Sequence, residues 1–455
     1  MNLKNKVVLV IGLAVTGVPL VKALSELEAK VIINDLKSPE TLKENLKELE
    51  GYKFEAILGR HPEDLSELGK LDLVIISPGV PLDIPFVKKL KETGVQIISE
   101  IELAYTISKA PIVAITGTNG KTTTTALTAE IFKNANKNAF AVGNIGVAAI
   151  AKAMEADEKD IMVMEVSSFQ LEGISKYHPK VAAILNLTPD HLNRHKTMEN
   201  YTNIKFSLFN NQDENDYAII NYDDEICRKN SSSINSKKIY FSRKEILEEG
   251  VFVENNNIVI IYHGKKHIVI PIKDIKIIGK HNLENALAAT AMTFIMGVDI
   301  ETIKETLINF NGVEHRIEYV TTINNISFIN DSKATNTDAA IKAIEAVESP
   351  ILLLAGGLDK DSEFEDFISA FDGKVKKLFL YGETADKIAM TANEMGFKDL
   401  AIVKTLDEAV ISAYNVAKKG DAILLSPACA SWDMYANFEE RGNHFKKIVE
   451  GLRRS

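Results

Sequence analysis

Gly117-Thr118-Asn119-Gly120-Lys121-Thr122-Thr123 sets two glycines, a lysine and several hydroxyls directly after the apolar run Ile112-Val113-Ala114-Ile115. The run reads as a buried strand, and Leu127 and Ile131, four apart, read as the inner face of a following helix. A strand, a glycine-bounded loop and a helix start wrap backbone N–H groups around polyphosphate. In that geometry Lys121 reaches the outer phosphates and the Thr122 hydroxyl ligates Mg²⁺. The longer P-loop pattern has glycine two residues before Gly117, where this chain has Ile115, so the loop is the short Gly-x-x-Gly-Lys-Thr form. A chance glycine turn before a helix is the bland alternative; the context favours ATP.

Other polar residues also end apolar runs. Ile161–Met164 leads into Glu165-Val166-Ser167-Ser168. One carboxylate at a strand's C-terminal edge suits Mg²⁺, which takes hard oxygen ligands and keeps several waters. Val181–Leu185 leads into Asn186-Leu187-Thr188-Pro189-Asp190-His191-Leu192-Asn193-Arg194-His195. Zinc between the two histidines lacks further ligands of the usual kind. A lone histidine is usually structural, but at a strand's C-terminal end beside a nucleotide site His191 could bind a second cation, while His195 reads as surface. Downstream, Tyr201, Ile204 and Leu208 define the apolar stripe of a helix near Met198–Phe209, and Lys205 lies at its edge. Spacing alone favours a snorkelling lysine stem. A buried lysine held neutral could instead react with CO₂ to give a carbamate, an anionic metal ligand.

Toward the C-terminus, Gly279-Lys280-His281-Asn282-Leu283-Glu284-Asn285 opens a helix with Asn282 and Asn285 on one face, and Glu314-His315-Arg316 follows. Arg316 suits phosphate charge. Three polar loops then end apolar runs: Asn330–Asp338, Gly356-Gly357-Leu358-Asp359-Lys360 and Ser426–Asp433. A dozen polar groups without partners at one sheet edge read as a small-molecule site, with a carboxylate favoured at the start of the helix after Asp338. Near the N-terminus, Gly12-Leu13-Ala14-Val15-Thr16-Gly17 has the form of a dinucleotide fingerprint with alanine at its second glycine, and Asp35 ends the next strand. NAD is weakly indicated, because the alanine methyl group stands where a pyrophosphate approaches. A nucleotide diphosphate in another pose fits equally. Ser77-Pro78-Gly79-Val80-Pro81 faces the same edge.

The elements that position these groups fall into three segments, as 455 residues suggest. Val7–Ile11, Val31–Asn34, Leu73–Ile76 and Gln96–Ile98 alternate with helical patterns, predicting a parallel α/β sheet. Ala110-Pro111 marks a boundary. The middle segment adds Ile161–Val166, Val181–Leu185, Tyr217–Asn221 and a hairpin around Glu254-Asn255-Asn256-Asn257, extended by His267–Ile272, so its sheet is mixed. From about Gly312, strands at Ile326–Ile329, Ile351–Leu354, Leu378–Tyr381, Ala401–Val403 and Ala422–Leu425 predict a second doubly wound unit. A net charge of −10 argues against a nucleic-acid surface. Cys227 and Cys429 have no metal-ligand spacing and fit a reducing cytosol. No apolar run approaches the roughly 20 residues that span a bilayer.

Thr116–Thr123, Glu165-Val166-Ser167-Ser168, Asn186–His191, His281-Asn282 and His315-Arg316 resemble the ATP-dependent Mur ligases of peptidoglycan synthesis, over essentially the whole chain. Asp331-Ser332-Lys333-Ala334-Thr335-Asn336 and Ser426–Ser431 with Phe438 look like the member that adds D-glutamate. The Asp-Asn-Pro-Arg motif expected of the tripeptide synthetase is absent. The resemblance implies an α/β chain of three domains: residues 1–109, Rossmann-like, for the UDP substrate; 110–312, a P-loop ATPase-type mixed sheet; and 313–455, doubly wound and Rossmann-like, for the amino acid. It implies that Val15, Thr16, Asp35, Leu36, Lys37 and Ser77 line the UDP pocket, that Asn144 holds the muramoyl part, and that Ser167 binds substrate. Gly117, Thr118, Asn119, Gly120, Lys121, Thr122 and Thr123 would hold ATP with Asn285, Arg316 and Asp331. Thr122 and Glu165 would hold one Mg²⁺, and His191 and a carbamylated Lys205 a second. Lys333, Thr335, Lys360, Ser431 and Phe438 would receive D-glutamate, with Lys121, His191, Lys205, Arg316 and Lys333 catalytic. The implied partners are UDP-N-acetylmuramoyl-L-alanine, D-glutamate and ATP, for a cytoplasmic monomer without membrane insertion or nucleic acid.

Overall fold

The computed structural model describes residues 1–13, 16–277, 279–359 and 362–454. Its strands form three sheets, each with an α/β surround. The chain divides into two compact units. One comprises Met1–Asp274 with Glu284–Ile308, the other Ile275–Leu283 with Asn309–Ser455.

The first sheet holds β1 (Val7–Ile11), β2 (Lys30–Asp35), β3 (Phe54–Leu58), β4 (Leu73–Ile76) and β5 (Ile97–Ser99), in the order β3-β2-β1-β4-β5. All its pairings are parallel. The order reverses between β1 and β4, so the loops after these strands flank the crevice where such sheets bind ligands. Gly12, at φ +95°, is left-handed, and a Cβ there would lie 2.7 Å from Ser77 Cβ. Only glycine lets these two loops approach so closely.

The second sheet comprises β6 (Ile112–Thr116), β7 (Ala139–Gly143), β8 (Ile161–Glu165), β9 (Val181–Ile184), β10 (Tyr217–Asn221), β11 (Lys237–Ser242), β12 (Gly250–Glu254), β13 (Asn257–Tyr262) and β14 (Lys265–Pro271). Its order is β14-β13-β12-β11-β10-β9-β6-β8-β7. β12, β13 and β14 pair antiparallel, so the sheet is mixed as expected. β6 lies between β8 and β9, and all five of its residues are buried. That burial follows from its position, with helices on both faces of a parallel sheet.

The third sheet, in the second unit, runs β15-β16-β20-β17-β18-β19. Its strands are β15 (Glu318–Ile323), β16 (Ile326–Asn330), β17 (Ile351–Ala355), β18 (Val375–Leu380), β19 (Leu400–Ile402) and β20 (Ala422–Leu425). Only the edge pairing β15–β16 is antiparallel among these. β16, β20 and β17 are neighbours, so the three polar loops singled out in this region leave adjacent strands.

The sequence pattern misses β3, β7, β11 and β15. Three of these are sheet edges, half-exposed and carrying Glu, Gly or Thr in place of an unbroken apolar run. β11 starts with two lysines and is buried only toward its end.

Within the first unit, the helix Glu100–Ile107 joins the first two sheets through two buried carboxylates. Glu102 accepts from the backbone N–H groups of Ser175, Lys176 and Tyr177 at 2.8–2.9 Å. Glu100 Oε1 accepts from Ile150 N at the start of the helix Ala149–Ala153, while Oε2 is buried without a partner. Burial pushes the Glu100 carboxyl up to about 7, against the pull of the Ile150 and Ala149 backbone N–H groups. The folded chain then holds a proton that the unfolded chain releases, so this group's stabilisation is complete below about pH 4.5 and fades as pH rises to about 7. The total is about 3 kcal/mol. Glu100→Gln, a neutral isostere, is expected to flatten this slope and to gain on the wild type between pH 5 and pH 8. Urea midpoints at the two pH values measure it, and parallel shifts in both proteins would exclude the effect.

Candidate active site

Three adjacent strands of the second sheet, β9, β6 and β8, deliver the chemistry at their carboxyl ends. After β6, Gly117 and Gly120 adopt φ +148° and +86°, and the helix Lys121–Asn134 begins. A Cβ on Gly120 would lie 2.2 Å from Asn285 Oδ1, so the loop needs glycine to admit the buried Asn285. Asn186, after β9, clamps the loop by accepting from Asn119 N at 2.8 Å and donating to Asn119 O at 3.1 Å. Lys121 Nζ folds over the loop and donates to the Gly117 and Thr118 carbonyls, at 2.9 and 2.8 Å. Thr118 Oγ1 lies 3.1 Å from the Tyr201 hydroxyl. Thr122 and Thr123 are buried in the first helical turn.

Lys205 is not a snorkelling surface lysine. It is 1% exposed, and Nζ donates to Gly117 O at 2.9 Å and Thr116 Oγ1 at 3.3 Å. The helix Met198–Phe206 turns it inward beneath the phosphate loop, where it lies 4.9 Å from the Tyr201 ring centroid. Burial, reinforced by the Lys121 charge, lowers its pKa well below the ordinary lysine value. Spacing placed this lysine at a stripe edge, but the inner side of the helix faces a polar loop that supplies oxygen acceptors.

Glu165 ends β8 in a similar environment. Oε1 accepts from Asn144 Nδ2 at 2.8 Å, whereas Oε2 is buried with no hydrogen-bond partner. A buried carboxylate oxygen left over is costly unless a cation completes it. This donor fits the Mg²⁺ that the sequence implies. His191, left-handed at φ +52°, is exposed and packs its ring on Phe169 at 4.8 Å. His195 is buried, not at the surface: Nε2 lies 2.9 Å from Ser168 Oγ, and the ring lies between Phe169 and Tyr201. Burial lowers its pKa, so it packs as a neutral imidazole.

In the first sheet, Asp35 is committed to backbone. Its carboxylate accepts from Leu13 N at 2.7 Å and Lys37 N at 2.8 Å, tying the glycine loop to the end of β2. Leu36 and Lys37 are exposed, while Thr16 and Ser77 are half-buried. Ser167 spends its hydroxyl on a capping box with Gln170. Val15 and Lys360 lie outside the described residues.

In the second unit, Asp331 follows β16 and is buried. It accepts from Ile317 N at 3.1 Å and Ser426 Oγ at 2.8 Å. Burial raises its pKa to about 7, against the Ser426 hydrogen bond and the Arg316 charge. Arg316 is half-buried, and its Nε is buried without a partner. His315, left-handed at φ +64°, sits 2.9 Å from Asn330 Nδ2. Lys333 Nζ lies 5.4 Å from the Phe438 ring centroid; Thr335 is half-buried and Ser431 buried. The loops of this unit are not the array of unpartnered groups expected from sequence. Ser332, Ser426 and Thr384 are all hydrogen-bonded within the unit. These bonds set the backbone rather than await a ligand.

Three family models cover most of the chain. Residues 6–99 match the Mur ligase MurD-like N-terminal domain, 115–293 the Mur ligase middle domain, and 315–429 the Mur ligase glutamate ligase domain. A UDP-N-acetylmuramoylalanine–D-glutamate ligase from Alkaliphilus metalliredigens (strain QYMF) is 61% identical over 455 residues, covering 100% of both chains. The chain belongs to the Mur ligase family. A relative of the same name from Clostridioides difficile (strain 630) is 48% identical over 455 residues and 100% of both chains. The solved UDP-N-acetylmuramate–alanine ligase MurC of Thermotoga maritima shares the fold, with a TM-score of 0.60 at 19% identity over 98% of this chain and 99% of that one.

In this Mur ligase, sequence reasoning overlooked Arg441. The guanidinium is 1% exposed and donates to Ser332 Oγ at 3.0 Å, Ser332 O at 2.8 Å and Cys429 O at 3.1 Å. It ties the loops after β16 and β20 to the C-terminal helix Phe438–Arg454. An arginine in an otherwise charged helix gives no periodic signal of burial; only its partners, distant in sequence, reveal it. Asn186 was part of a recognised motif but had no assigned task.

Proposed function

We propose that this chain is an ATP-dependent ligase that adds D-glutamate to UDP-N-acetylmuramoyl-L-alanine in peptidoglycan precursor synthesis, as a cytoplasmic monomer that does not insert into membrane. The observation that carries the reading is the convergence on one sheet edge of a P-loop lysine, a buried second lysine and a carboxylate with one oxygen unpartnered, in a chain whose full-length relatives are named for this reaction. Among the described residues no helix is long and apolar enough to cross a membrane.

A carboxylate is a poor electrophile. ATP phosphorylates the alanyl carboxylate, giving an acyl phosphate and ADP; the D-glutamate amine then attacks the carbonyl carbon, and the tetrahedral intermediate expels phosphate as the nitrogen loses a proton. Phosphoryl transfer needs positioning and charge neutralisation above all. In this reading Gly117–Thr123 cradle the triphosphate, with Asn285, Arg316 and Asp331 completing the nucleotide site. Lys121 exchanges its two carbonyl partners for phosphate oxygens. Thr122 and Glu165 would hold one Mg²⁺, and His191 with a carbamylated Lys205 would hold a second, which would supply positive charge against the phosphates. Val15, Thr16, Asp35, Leu36, Lys37 and Ser77 serve the UDP end, with Asn144 at the muramoyl part and Ser167 also binding substrate. Lys333, Thr335, Lys360, Ser431 and Phe438 receive D-glutamate. The working domains are residues 1–109, 110–312 and 313–455.

ADP release with UDP-N-acetylmuramoyl-L-alanine, Mg²⁺ and D-glutamate, L-glutamate, L-lysine or diaminopimelate in turn is the direct test. Turnover with D-glutamate alone is expected; its absence sinks the proposal. Thr335→Ala is expected to raise the KM for D-glutamate about tenfold, the worth of one hydrogen bond, and to move the KM for ATP less. The opposite ranking in initial-rate measurements would place the acceptor pocket elsewhere.

A further inference from the structure

Arg194 ties the loop after β4 to the segments after β8 and β9. It sits three residues beyond His191, in the short helix Leu192–His195. The guanidinium rests on the Phe169 ring, 4.4 Å from its centroid, and forks onto Glu172, with Nε donating to Oε1 at 3.2 Å and Nη2 to Oε2. The remaining donors reach across to the first sheet: Nη1 to Pro78 O at 2.9 Å and Nη2 to Val80 O at 3.2 Å. Both charged side chains are largely buried, Arg194 being 15% exposed and Glu172 13%.

Each contact leads to a different part of the candidate site. Pro78 and Val80 follow β4 at the switch point of the first sheet, where Ser77 and Val80 border Gly12 of the glycine loop. Glu172 and Phe169 follow β8, the strand that ends in Glu165, and Phe169 also packs on His191. A planar fork that serves a carboxylate and two carbonyls at once, with its face on an aromatic ring, is a geometry lysine cannot reproduce.

We infer that Arg194 is a positioning residue that couples occupancy of the nucleotide-sugar loop Ser77–Val80 to the cation affinity of the ligands at the ends of β8 and β9. The inference rests on the functional reading above, which places the UDP substrate at the first loop and Mg²⁺ at the second. Binding that shifts the Pro78 and Val80 carbonyls moves the guanidinium, and with it the His191 segment and Glu172. Such coupling is reciprocal: whatever factor the substrate applies to the cation, the cation applies to the substrate.

The test uses the full chain with a non-hydrolysable ATP analogue and titrates Mn²⁺ by electron paramagnetic resonance, with and without UDP-N-acetylmuramoyl-L-alanine. In the wild type the substrate is expected to tighten Mn²⁺ about fivefold or more. Arg194→Lys and Glu172→Gln are expected to bring that factor close to one, while calorimetry without Mn²⁺ shows the substrate itself still bound. A merely structural arginine would lower the melting temperature and leave the factor intact. Arg194→Lys keeps the charge, which guards against loss of folding. A factor near one in the wild type, or the wild-type factor retained in Arg194→Lys, overturns this inference alone. No binding of the UDP substrate to the wild type overturns the functional reading, and this inference with it.

Discussion

Lys205→Ala is expected to lower turnover about a thousandfold or more, with part of the loss restored by formate, acetate or propionate. Lys205 Nζ is buried against Gly117 O and Thr116 Oγ1, and among the described residues no carboxylate is hydrogen-bonded to it. A cation held that way, with Lys121 sharing the same carbonyl, is driven toward its neutral form, the form that adds CO₂. If the carbamate supplies an anionic ligand, a small acid diffusing into the alanine cavity can replace it. Initial rates against acid concentration measure the rescue. No recovery at any concentration would reject the carbamate and leave Lys205 as a prop beneath the phosphate loop.

Lys121→Ala is expected to reduce kcat by about a thousandfold or more, because the mobile charge that follows the transferring phosphoryl group is lost. Binding of the UDP substrate, measured without Mg²⁺ so that the coupling through Arg194 is silent, should be little changed, since its loops belong to a different sheet. Rapid-quench ADP formation and calorimetry with UDP-N-acetylmuramoyl-L-alanine separate the two quantities. Near-normal turnover would mean that the loop lysine serves only its own carbonyls, Gly117 O and Thr118 O. An equal loss of UDP-substrate binding would mean that the substitution collapses the fold of the first unit.

Much of the architecture was legible because parallel strands buried on both faces read as unbroken apolar runs. Ile112–Thr116, Ile161–Glu165 and Val181–Ile184 are buried throughout and stand where the pattern put them. The edge strands Phe54–Leu58, Ala139–Gly143 and Glu318–Ile323 were invisible for the complementary reason: one side of each faces no partner, and their composition resembles a loop. The hairpin at Glu254–Asn257 was readable from its asparagines, which tolerate the left-handed conformation that Asn255 and Asn256 adopt.

By itself the sequence determined the phosphate loop, the acidic end of β8, the mixed character of the second sheet and, through its motifs, the family. These are local matters, in which the type and spacing of a few adjacent residues decide backbone conformation and chemistry. Only the tertiary structure decided which side chains are buried and what they touch. It moved His195 inside, drew Lys205 under the P-loop, left one Glu165 oxygen unpartnered, and made Arg441 and Arg194 the ties between distant loops. Desolvation and hydrogen-bond partnership depend on segments far apart in the chain, and no spacing along one helix or strand encodes them.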